Sequence, residues 1–181
     1  MKKILFIFYL APLVLYGQNF PNENPLFYQK EIKLNYLYLG LGVFQIQYEN
    51  YIKEGQSFNL NLAYVDFLFY NELTGFNVGA GVRNYFTPEN RGSFYLEPSV
   101  NVLYLEDKYF NEKYNTVSCA VVLGRKRKLG NRFTLDVYLG PSIHFGFLKS
   151  GNTSTQKLQN WQGPLNGIFF KGGVTAGYRF N

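Results

Sequence analysis

The only histidine of the 181-residue chain, His144, lies in the run Ser142-Ile143-His144-Phe145-Gly146. Ser142 and Asp136 share a face with it in an extended chain, which supplies the parts of a serine–histidine–acid nucleophile. In such a set the imidazole takes the hydroxyl proton, while the carboxylate fixes its tautomer and stabilises its charge. The simpler assignment, and the one favoured here, is a structural histidine near the outer rim of a sheet. Gly-x-Gly occurs at Gly40–Gly42 and at Gly79–Gly81, but neither opens a helix after a strand, so no nucleotide site is expected. Glycine within a strand permits bending, or leaves room for a large neighbour such as Tyr or Arg. Cys119 is the single cysteine, which excludes an intrachain disulfide and a cysteine-based metal cluster. There is no zinc-type spacing of His, Cys and carboxylates and no calcium-loop signature, so neither a metal nor a cofactor is expected.

The remaining chemistry lies in charges on alternating segments. Glu31, Lys33, Glu49, Arg83, Glu97, Asp136, Lys171 and Arg179 all fall on the polar face of a strand-like segment, four acidic and four basic. The opposite, apolar series is nearly free of charge. Balanced signs fit a closed interior whose charges pair, because an unpaired buried charge costs several kcal/mol in desolvation. Solubilisation of one face of a sheet is the plainer alternative.

Eight strands are needed to position these residues. The first two run from about Glu31 to Leu39 and from Val43 to Ile52, unless Gly40 and Gly42 only kink one long strand. The third, with Phe58, Leu60, Leu62 and Tyr64 against Asn59, Asn61 and Ala63, has the clearest two-residue period. The fourth carries Phe76 to Val82. The fifth carries Phe94 to Val102, with a bulge expected at Pro98 because it cannot donate to the ladder. Val117 to Leu123, Phe133 to about Leu148, and Ile168 to the C-terminus complete the set. Connections alternate between short turns and longer loops. One short turn carries Arg125-Lys126-Arg127-Lys128; a solvated turn is favoured there over contact with anionic lipid headgroups. No aromatic–basic module for nucleic acid accompanies that run. The longest loop, Lys149 to Gly167, holds the only tryptophan, Trp161, and is where contact with a partner is expected.

Composition narrows the setting. There are 18 Phe, 16 Tyr and 18 Gly, with a mean hydropathy of −0.17, which suits a sheet with one apolar face better than a helical membrane protein. Residues 1–17 read as a secretory signal: Lys2 and Lys3, an apolar run too short to span a bilayer, and cleavage after Gly17. Residues 18–30 form a polar leader, and residues 31–181 a single β domain. Removing the signal takes the formal charge from +6 to about +4.

The end of the chain, IFFKGGVTAGYRFN, alternates Val174, Ala176, Tyr178 and Phe180 with Lys171, Gly173, Thr175, Gly177 and Arg179. With its aromatic pair at the terminus it resembles the closing strand of small eight-stranded outer-membrane β-barrels of the OmpA type. The opening KEIKLNYLYLGLGVFQIQYE is similar to the first hairpin of small, functionally unassigned barrel proteins of Bacteroidota. The resemblance implies an all-β, eight-stranded antiparallel up-and-down transmembrane barrel in a Gram-negative outer membrane. Its partners would be outer-membrane lipid, the barrel-insertion machinery and an unidentified surface ligand. It also raises lipid-A acylhydrolase or acyltransferase activity, found in some such barrels. The deacylase pattern, however, has a serine directly after the histidine, where Phe145 stands here. A closed barrel with a structural or recognition role, and no enzymatic activity, is the expectation. A secreted or periplasmic lipocalin-like barrel with an apolar interior is the main rival.

Overall fold

In a computed structural model, residues 30–53, 55–66, 73–86, 93–109, 111–150, 156–157 and 165–180 are described. Their strands are β1 (Lys30–Asn35), β2 (Val43–Lys53), β3 (Gln56–Asp66), β4 (Leu73–Tyr85) and β5 (Ser93–Asp107). After these come β6 (Glu112–Leu129), β7 (Phe133–Ser150), the two-residue β8 (Gln156–Lys157) and β9 (Gly167–Phe180). Each wall strand pairs antiparallel with the next, and β9 pairs with both β7 and β1, so eight strands close an up-and-down barrel. β8 adds a short extension beside β7 at the loop end. Among the described residues the fold is all-β apart from one helical turn, α1 (Tyr36–Leu39).

Alternation decides which side chains go in. On β3, Ser57, Asn59, Asn61, Ala63 and Val65 are buried, while Leu60 and Leu62 are exposed outside. The same division holds round the ring, with Leu139, Ile168 and Phe170 more than 60% exposed on the outer wall. The period of two is read directly from sequence because a strand projects successive side chains to opposite faces.

Several local expectations change. The first strand stops at Asn35 rather than Leu39, because the Asn35 side chain accepts from Tyr38 N at 3.3 Å and caps α1. Gly42, at φ 84°, completes the connection, so β1 and β2 are separate strands rather than one kinked strand. The Arg125–Lys128 run is not a turn. It lies in β6, which extends to Leu129, and the turn follows at residues 130–132 with Gly130 at φ 76°. Nor does Pro98 create a bulge, since Gly81 still faces Ser99 and Asn84 still faces Leu96. The ladder only lapses around Val82–Arg83 and Glu97–Pro98, and Arg83 and Glu97, opposite each other, close that gap with an ion pair of 2.5 Å. A matching lapse occurs at Pro141, between Ala120–Ser142 and Leu123–Leu139, again with unchanged register. The expected signal, the polar leader up to Gln29, the turn at residues 87–92 and Trp161 lie outside the described residues.

Candidate functional site

The interior is stratified along the barrel axis. At the end nearer the chain termini, Lys33 Nζ lies 2.6 Å from Glu49, 2.9 Å from Asp136 and 3.8 Å from Glu31. The Arg83 guanidinium contacts Asp136 at 2.6 Å, Glu49 at 3.1 Å and Glu97 at 2.5 Å. Arg179 Nε stands 3.6 Å from Glu31. Seven of the eight residues read from the sequence therefore meet in one connected set. Lys171 sits at its margin, 4.0 Å from Glu97, and donates to Ser99 Oγ at 2.9 Å.

One central member is new. Lys126 Nζ reaches Glu31 at 2.6 Å and Glu49 at 2.9 Å, and lies 4.9 Å from the centre of the Tyr51 ring. Parity could have found it: Cys119, Val121 and Leu123 point outward, so Lys126 must point inward, opposite Asp136. Tyrosines complete the layer. Tyr85 donates to Glu49, Tyr95 donates to Asp136 at 2.7 Å, and the Arg83 guanidinium stacks 4.4 Å from the Tyr95 ring centre. Ser57 donates to Glu49 at 2.5 Å and Thr134 donates to Glu31. Each acid thus has several donors, as charges withdrawn from water require.

Above this layer lie carboxamides and hydroxyls. Asn61 donates to Asn101 at 3.2 Å, Asn35 to Gln45 at 2.7 Å, and both Asn35 and Gln47 to the Tyr138 hydroxyl at 3.1 Å. Many of these links pass over an inward-facing glycine on the intervening strand. A Cβ on Gly79 would lie 2.1 Å from Asn101 Oδ1 and 2.6 Å from Asn61 Nδ2. Gly173 makes the same room beneath Asn35 and Tyr138, and Gly177 beneath Glu31 and Thr134. Gly124 accommodates the Tyr95 ring. The Gly79–Gly81 motif is accordingly a matter of space across the barrel.

At the loop end the interior becomes apolar. Val43, Ala63, Val65 and Leu105 form a buried cluster against which Tyr38, Tyr114 and Leu165 pack. Burial there pushes the Tyr38 phenol above its ordinary pKa. The Leu165 carbonyl accepts from Thr116 Oγ1 at 3.1 Å, which holds the chain ahead of β9 over the opening.

Ser142 and His144 do meet, with Oγ 2.8 Å from Nε2, and the imidazole stands edge-on to Phe169. Asp136 is no part of that pair. It lies six residues back on β7, roughly 20 Å away at strand rise, and is held by Lys33, Arg83 and Tyr95. The three residues do not assemble a triad. Among the described residues, no group of three or more His, Cys, Asp or Glu is placed to hold a metal ion.

Fold and interior together define a closed eight-stranded up-and-down barrel with ion-paired, amide and apolar layers inside. No family model, curated protein or solved structure matches the chain.

Proposed function

We propose that this protein is an integral outer-membrane barrel, exported by its N-terminal signal, whose filled interior is structural and whose longer loops serve surface recognition. The observation that carries this reading is the inverted distribution of polarity. Glu31, Lys33, Glu49, Arg83 and Asp136 are at most 1% exposed, whereas Phe44, Leu62, Val102, Leu139 and Phe170 stand on the outer wall. Apolar patches of this extent are a liability in water and a requirement in lipid. On β5 the outward series from Phe94 to Tyr104 spans about 25 Å along the axis at ordinary strand tilt, the height of a bilayer's apolar band.

A lipocalin-like barrel needs the reverse arrangement, an apolar cavity behind a polar exterior. For a lipid-modifying enzyme the support is the Ser142–His144 pair, from which Asp136 stands apart, held by Lys33, Arg83 and Tyr95. In the favoured reading the termini face the periplasm, and the Tyr178 and Phe180 aromatics of β9 meet the barrel-insertion machinery. Carbonate washing of membrane fractions tests the proposal. Retention in the washed membrane is expected, and recovery in the soluble fraction would overturn it.

A further inference from the structure

The same alternation that sends Lys126 inward sends its neighbours to the outer wall. Arg125 is exposed, opposite Phe94 on β5 and Val137 on β7, with its guanidinium 5.1 Å from the Phe94 ring centre. Arg127 shares that face, opposite Leu135. Arg132, exposed in the following turn, donates to the Tyr178 hydroxyl at 2.8 Å, and Tyr178 packs edge-on against Phe133. Three arginines thus share one sector of the wall, which spans β5, β6, β7 and β9. Glu97 and Asp136, the described acids of these strands at this end, both face the interior.

This pattern matches one kind of partner. An arginine set among Phe94, Leu123 and Val137 extends its head toward the nearest polar layer while its stem stays on apolar wall. Guanidinium forks fit phosphate oxygens, and the flanking Phe94, Phe133 and Tyr178 suit the glycerol and upper acyl region. A free anion would have no use for that apolar flank. We infer that this sector binds the phosphodiester headgroup of an anionic glycerophospholipid in the leaflet at the termini end. The inference rests on the membrane reading above and adds a lipid class and a location to it.

The test uses the full chain folded into vesicles of phosphatidylcholine mixed with phosphatidylglycerol, extracted in mild detergent, with retained lipid measured by native mass spectrometry. Each guanidinium near a membrane surface favours anionic lipid by about fivefold. The unaltered protein should therefore retain phosphatidylglycerol over phosphatidylcholine by at least about fivefold. Arg125→Gln combined with Arg127→Gln and Arg132→Gln should bring the ratio close to that of the vesicle, with heat-modifiable mobility on gels showing that the barrel is folded. Retention of phosphatidylglycerol by the unaltered protein in simple proportion to the vesicle, or an unchanged ratio in the triple variant, overturns the lipid site. So does displacement of the lipid by inorganic phosphate, which would make this a free-anion site. Failure of the unaltered protein to insert into these vesicles would instead overturn the membrane reading beneath it.

Discussion

Lys126 reaches Glu31 and Glu49 from inside the wall, where neither acid is exposed. Truncating it to methionine preserves much of its volume and leaves two carboxylates short of a cation. Lys126→Met should cost about 3–5 kcal/mol in a reversible urea titration of the folded barrel. Lys113→Met is the matched comparison, since its pair with Glu106 at 3.5 Å lies in solvent, and no measurable loss is expected there. Equal effects of the two would mean that the lower interior is hydrated. The glycine positions make a second prediction. A methyl on Gly177 would lie 2.3 Å from Glu31 Oε1 and 2.6 Å from Thr134 Oγ1, so Gly177→Ala must break that link. The cost should be about 1–3 kcal/mol in the same titration, and a neutral result would show that the bridge is not needed.

At the scale of strands, β3 offers the cleanest comparison of the two faces. Leu62 is 58% exposed outside, while Asn61 is buried and bonded to Asn101. Leu62→Arg near the middle of a bilayer should cost about 2–4 kcal/mol in lipid vesicles. In a water-soluble barrel it would cost nothing, so the measurement also separates the membrane and lipocalin-like readings. The strands themselves were legible because alternation is a one-dimensional property, visible wherever apolar and polar residues keep a period of two. It failed where a local contact outweighed the pattern. Tyr36-Leu37-Tyr38-Leu39 has no alternation to read, and a side-chain cap from Asn35 turns it into a helical turn. Charge obscured the end of β6 as well. Arg125 to Lys128 looks like a solvated turn until each residue is counted from Leu123. The partners within the interior depended on a different kind of information. That Lys33 meets Asp136, far away in sequence, follows from the stagger of strands around a closed ring, which no single segment encodes.

For the molecule as a whole, layered filling predicts the absence of a pore. With paired charges at one end and Val43, Val65, Leu105 and Leu165 packed at the other, protein in planar bilayers should show no large stable conductance. Reproducible nanosiemens-scale channels would mean that one of these layers opens. Replacing residues 151–164 with a short Gly-Ser linker should preserve heat-modifiable mobility, because the ladder between β7 and β9 lies outside that segment. Loss of the folded form would give the loop a structural task. The inward glycines also bear on how such a ring can be completed. Glu31 and Asn35 on the first strand reach Thr134 and Tyr138 on the seventh by passing over Gly177 and Gly173 of the last. The closing strand is smooth where its neighbours' arms cross it. At those two crossings it can fit between them like a stave slid under hoops already in place, with no bulky group there to be threaded past another.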